Sequence, residues 1–216
     1  MTLTKFNKTN QKNVDFILYR RKIKGKINSL LSAVFLDRDG VIIQDCHYIK
    51  NPIDVKLCPG VKNLMREFYK KNIFVIVITN QSGISRNLLS WDDYKAVNKK
   101  MIQLLGEPNP INAIYANSYT SDKPVSNWRK PNPTMILKAT CDLKLNLNKS
   151  ILIGDRVSDI VTGQRAQVPK IFHVLTGHGQ KEREEILKLK KQKNIYNKSK
   201  IFCIKDLNQI RNHIIF

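Results

Sequence analysis

Ala33-Val34-Phe35-Leu36-Asp37-Arg38-Asp39-Gly40 is the stretch whose reading decides the fold. The apolar run reads as a buried strand. The abrupt switch to polar residues sets Asp37 and Asp39 at the strand's carboxyl end, where Gly40 lets the backbone turn. Open α/β sheets keep their ligands at that end. Two carboxylates one residue apart suit a site that holds a divalent cation and also needs a nucleophile and a proton carrier. Asp-x-Asp-Gly is equally good turn chemistry, so the assignment depends on what lies downstream.

Residues 73–78, IFVIVI, form a continuous apolar run rich in β-branched residues, as expected for a parallel strand buried on both faces. The run ends in Thr79-Asn80-Gln81-Ser82-Gly83, a set of uncharged donors able to cradle phosphate oxygens, or else an ordinary strand-to-helix loop. Residues 111–116 read as a third strand. After a polar loop, Arg129-Lys130-Pro131 sets two adjacent cations against a proline, a better design for anion binding than for a solvated charge run. A fourth strand, residues 150–153, ends in Gly154-Asp155-Arg156-Val157-Ser158-Asp159, again with carboxylates at a strand end. Residues 170–175 read as a fifth strand. Helices are expected at 60–71, at about 91–105 with Ser90 as cap, and at 134–141. The loop after Gly40 carries Asp45, Cys46, His47 and Tyr48 near these strand ends; His47 reads either as a surface polar residue or as a substrate contact.

The chain has 216 residues and a formal net charge of +21. Such a charge ordinarily points to nucleic acid or an anionic surface. Much of the excess lies at the ends, within residues 5–26 and 181–200, and the chain is rich in Asn as well as Lys, so a compositional bias is the competing account. Residues 1–32 are read as a basic amino-terminal extension with a helix over 14–31, and residues 33–216 as one domain. No apolar run has the length of a membrane span and no secretory signal is evident, so a soluble cytoplasmic monomer is expected. Cys46, Cys58, Cys141 and Cys203 lack the paired spacing of a disulfide framework or a zinc cluster.

Taken together, FLDRDG, TNQSGI, RKPNP and GDRVSDI resemble the four motifs of the haloacid dehalogenase-like phosphohydrolases, in order. They most resemble the branch that holds the heptose bisphosphate and histidinol-phosphate phosphatases. The resemblance implies a Rossmann-like three-layer α/β/α sandwich with a mostly parallel central sheet and no large cap domain. It implies Asp37 as nucleophile, Asp39 as acid and base, and Thr79 and Lys130 as holders of the transferring phosphoryl group. Mg²⁺ would be bound by Asp37, Asp155 and the main-chain carbonyl of Asp39, with Asp159 beside them. Asp45, Cys46, His47, Tyr48, Asn80, Gln81, Ser82, Arg129 and Arg156 would face the rest of a small sugar phosphate. Many members of this branch carry a zinc knuckle before the RKP segment. Residues 115–128 contain neither Cys nor His, so no structural zinc is expected. A heptose bisphosphate 7-phosphatase activity leads the readings. Histidinol-phosphate phosphatase and polynucleotide 3′-phosphatase are the alternatives; the basic ends lack the interleaved aromatics of a single-strand binder, which makes a nucleic-acid partner unexpected.

Overall fold

The computed structural model describes residues 13–19, 31–121, 128–192 and 198–212. Seven strands form one sheet: β1 (Val14–Leu18), β2 (Ala33–Leu36), β3 (Phe74–Asn80), β4 (Ile111–Asn117), β5 (Ile151–Gly154), β6 (Lys170–His173) and β7 (Lys200–Cys203). Their spatial order is β1-β4-β3-β2-β5-β6-β7. All neighbours are parallel except β1, which pairs antiparallel with β4. The chain runs outward from β2 through β3 to β4, then returns to the other side of β2 for β5, β6 and β7. The switch point therefore falls at the carboxyl ends of β2 and β5, where such sheets open a crevice.

The sheet's alternation decides which helices cover which face. Val34 and Leu36 join one core with Leu64, Met65 and Phe68 of α1 (Val61–Lys70) and Val97 and Met101 of α3 (Trp91–Leu105). Ala33 and Phe35 join the opposite core with Met135 and Ile136 of α4 (Thr134–Leu143), Ile160 of α5 (Val157–Arg165) and Ile186 of α6 (Gly179–Lys191). The result is the expected three-layer sandwich. α3 begins where expected: Ser90 Oγ accepts the Asp93 N–H, and Asp93 Oδ2 accepts the Ser90 N–H, a reciprocal cap. A short helix α2 (Ser82–Ser85) follows β3 directly. Between Gly40 and α1 the chain forms only isolated bridges and a single 3₁₀ turn at Pro52–Asp54, too little for a cap domain.

The helix expected over residues 14–31 is not what forms at its start. Val14–Leu18 is a strand, paired residue for residue with Ala113–Asn117, and Phe16 stacks on Tyr115 with ring centroids 5.8 Å apart. The unpaired edge of β4 offers a ladder of donors and acceptors, and that partner outweighs the helical spacing of the local apolar residues. Residues 20–30 lie outside the described residues. At the other end, β7 follows the Lys-rich stretch, at residues 201–204 that resemble the last strand of the family, and pairs parallel with β6.

Candidate active site

Sheet pairing fixes the first carboxylate. Asp37 follows β2, and its N–H donates to the Ile153 carbonyl of β5 at 3.1 Å. Its Oδ1 accepts the Arg38 N–H at 2.7 Å and lies 3.0 Å from Lys130 Nζ. Lys130 is itself only 3% exposed. Its ammonium donates to the Ile78 carbonyl at 3.0 Å and approaches Asp159 Oδ1 at 2.6 Å. Burial alone would lower the Lys130 pKa, but Asp159 and Asp37 together hold it above the ordinary value, so the group stays a cation. Asn80 clamps this lysine through its main chain: the Lys130 N–H donates to Asn80 Oδ1 at 3.1 Å, and Asn80 Nδ2 donates to the Lys130 carbonyl at 3.2 Å.

Asp155, fully buried after β5, sits between two glycines. A Cβ on Gly40 or Gly177 would lie 2.4 or 2.2 Å from Asp155 Oδ2, and both glycines have positive φ, 80° and 59°, so other residues there would be both crowded and strained. Asp155 Oδ2 accepts the His178 N–H at 2.7 Å, while its Oδ1 is buried without a hydrogen-bond partner. Carboxylate oxygens of Asp37, Asp155 and Asp159 lie within 4.8 Å of one another. Burial, then the neighbouring carboxylates, push Asp155 up to about 9; burial is also the main cause that raises Asp37 to about 7, against the pull of Lys130. Crowded carboxylates and an orphaned oxygen make a site that favours a hard divalent cation such as Mg²⁺. Asp159 has two further duties: besides meeting Lys130, its Oδ2 accepts the Arg156 N–H at the start of α5.

Asp39 faces a different set of partners. Arg38 Nη2 lies 3.0 Å from both oxygens of Asp39, and Gln81 Nε2 donates to Asp39 Oδ2 at 2.7 Å. Arg38 is 1% exposed and also donates to Asn98 Oδ1 at 3.1 Å and Gln81 Oε1 at 3.0 Å, with its guanidinium over the Tyr94 ring. A buried arginine tolerates this position because its donors are met. The carboxylate of Asp39 is thus held apart from the cation cluster. Gln81 Nε2 reaches Thr79 Oγ1 at 2.8 Å as well, joining Asp39 to the end of β3.

A cavity of about 230 Å³ opens beside Asp39, while the buried Asp37, Thr79, Lys130, Asp155 and Asp159 are not among its lining residues. It is lined by Asp39, Asp45, His47, Tyr48 and Ser82, by Asn80 and Gln81, and by Arg156, as the sequence led one to expect. Cys46 and Arg129 are not among its lining residues. Cys46 is exposed, and Arg129 Nη1 donates to the Tyr119 carbonyl at 2.9 Å. Arg156 pairs with Glu182 at 3.4 Å. The structure adds three lining residues that sequence reasoning missed, Arg38, Ile49 and His178. In the sequence, Arg38 is flanked by the two aspartates and His178 by two glycines, and neither pattern alone marks a site residue.

The family described as HAD-hydrolase-like matches residues 127–198. Among curated proteins, D-glycero-beta-D-manno-heptose-1,7-bisphosphate 7-phosphatase of Haemophilus influenzae is 34% identical over 151 residues, covering 67% of this chain and 82% of the relative. The D-glycero-alpha-D-manno-heptose-1,7-bisphosphate 7-phosphatase of Campylobacter jejuni is 32% identical, over 76% of this chain and 94% of the relative. The beta-type enzyme of Mesorhizobium japonicum is 36% identical, over 63% of this chain and 66% of the relative. Among solved structures, a HAD-like phosphatase from Mesorhizobium loti superposes with a TM-score of 0.70 at 31% identity, covering 78% of this chain and 83% of its own. D,D-heptose 1,7-bisphosphate phosphatase from B. bronchiseptica, solved with magnesium and phosphate, shares the fold with a TM-score of 0.71 at 24% identity, over 85% of this chain and all of its own.

Proposed function

This chain belongs to the haloacid dehalogenase-like phosphatases, and from that premise we propose that it removes the C7 phosphate of D-glycero-D-manno-heptose 1,7-bisphosphate through an aspartyl-phosphate intermediate. The observation that carries the reading is the meeting of Asp37 with Lys130 and Asp155 at the carboxyl ends of the central strands, with Asp39 held separately by Arg38 and by Gln81, which also reaches Thr79. Asp37 is the nucleophile: a carboxylate oxygen bonds to phosphorus while the bond from phosphorus to the sugar oxygen breaks. Asp39 gives that departing oxygen a proton. It then takes a proton from water, and the water oxygen attacks phosphorus and releases phosphate from Asp37. Lys130 and Thr79 hold the non-bridging oxygens, and Asn80 keeps Lys130 in register.

Phosphatases of this family use Mg²⁺. Here Asp37, Asp155 and the Asp39 main-chain carbonyl would bind it, where it would screen the charge between carboxylate and phosphate. Asp159 is assigned to orienting Lys130. The far phosphate would meet the cavity wall formed by Asp45, His47, Tyr48, Ser82 and Arg156. No structural zinc, membrane partner or nucleic-acid partner enters the proposal. Support for the substrate comes from relatives of that name and from a cavity sized for a small sugar phosphate. The test measures phosphate release from both anomers of the heptose bisphosphate, from histidinol phosphate and from 3′-phosphorylated oligonucleotides. The bisphosphate is expected to give the highest kcat/KM; preference for either alternative would replace the reading.

A further inference from the structure

Outside the cluster around Asp37, a second convergence of metal-ligating side chains stands at the rim of the cavity. His178 Nε2 lies 2.9 Å from Asp45 Oδ2, and His47 Nδ1 lies 3.9 Å from Asp45 Oδ1. One ligand atom from each of the three residues falls within 4.8 Å of the others. The structure assigns to Asp45, His47 and His178 a second cation site, selective for a borderline transition ion of the zinc class and distinct from the site of Asp37 and Asp155.

The distances suit that ion. A tetrahedral centre with bonds of about 2.0–2.1 Å keeps its ligand atoms roughly 3.3 Å apart; His178 lies 2.9 Å from one Asp45 oxygen and His47 3.9 Å from the other, on either side of that value. Donor chemistry sorts the two sites. Two imidazoles and a carboxylate favour zinc-type ions, whereas the all-oxygen cluster below favours magnesium. The three groups are also held in place. His178 begins α6 with its N–H on Asp155 Oδ2, and Asp45 Oδ1 accepts the His47 N–H at 3.0 Å. His47 and Tyr48 have positive φ, 46° and 55°, a conformation non-glycine residues seldom adopt, and it sets the His47 ring 5.9 Å from that of His178. Entry is open, since the His47 side chain is 78% exposed. The nearby Arg156 cation is offset by Glu182. Three protein ligands leave a coordination position for water or a phosphoryl oxygen, and the site lines the same cavity as Asp39.

The test titrates Zn²⁺ calorimetrically into the full chain saturated with Mg²⁺, and repeats the titration with Co²⁺ to read the visible absorption of imidazole-bound cobalt. It needs no substrate, so its outcome is independent of the proposed activity. One Zn²⁺ per chain is expected to bind despite the Mg²⁺. His47→Asn and His178→Gln should each weaken it at least tenfold and reduce the cobalt absorption. Asn tolerates the left-handed backbone at position 47, and circular dichroism checks both folds; should His178→Gln not fold, the exposed His47 decides alone. Unchanged affinity in the folded variants, or loss of the zinc to competing Mg²⁺, overturns the assignment.

Discussion

Gln81 Nε2 donates to Asp39 Oδ2 at 2.7 Å while lying 2.8 Å from Thr79 Oγ1. One side-chain amide therefore ties the proposed proton carrier to a proposed phosphoryl-holding hydroxyl. Gln81→Leu removes a hydrogen bond to a charged group, a loss of about 1.5–3 kcal/mol, or roughly 10- to 100-fold in kcat/KM on a sugar phosphate. An aryl phosphate with an acidic leaving group needs little proton transfer and should lose far less. The check is a plot of kcat/KM against leaving-group pKa for wild type and variant; parallel lines would show that Gln81 does not serve Asp39.

Asp37→Asn should abolish turnover, because the amide keeps the carboxylate's shape but is not a nucleophile. The metal-free fold should hold or gain in thermal stability, since a charge is removed from between Asp155 and Asp159. Rapid-quench measurement with labelled substrate should trap phosphoryl-enzyme in wild type and none in the variant. Near-normal single-turnover release by Asp37→Asn would rule out covalent catalysis.

Metal removal should make stability depend on pH with a definite sign. Asp155 sits near 9 in the folded chain against about 3.8 unfolded. Between those values the folded state binds more protons, so the metal-free protein loses stability as pH rises through that window. A cation that ligates the ionised carboxylates cancels this penalty. The gain in Tm on adding Mg²⁺ should therefore be larger at pH 8.5 than at pH 6. Scanning fluorimetry at both values tests it, and a gain that shrinks with rising pH would contradict it.

Arg156 lines the cavity and Arg129 does not. Arg156→Ala should lower kcat/KM for the bisphosphate by roughly tenfold, the scale of a lost charge-assisted contact in a half-exposed place, and change an aryl phosphate little. Arg129→Ala, whose guanidinium meets the Tyr119 carbonyl, should affect both substrates alike. A bisphosphate-selective loss at Arg129 instead would move the second anion contact to that side of the crevice.

The fold was legible where burial leaves a one-dimensional trace. Phe74–Asn80 and Ile151–Gly154 are buried on both faces and appear as unbroken apolar runs ending in polar residues. The carboxylates after β2 and β5 were equally plain, and so was Lys130, fixed beside a proline. Arg38 was opaque, because a charged residue between two aspartates reads as exposed until Asn98 and Tyr94, about sixty residues away, are brought against it. Asn80 and Gln81 were read as substrate contacts, yet their amides are engaged with Lys130 and Asp39. His178 joins Asp45 only through the packing of the loop after β6 against the loop after β2. Val14–Leu18 misled for the same reason, since its partner β4 lies far along the chain.

That last pairing sets an order of events during synthesis. Val14 is made long before Asn117, its partner in the sheet. Until β4 emerges, the first strand has no ladder to join and Phe16 has no Tyr115 to cover it. The parallel half-sheet of β2 and β3 is complete earlier and can form without it. Val14–Leu18 can therefore dock only after β4 is made, closing an edge that would otherwise stay exposed to neighbouring chains.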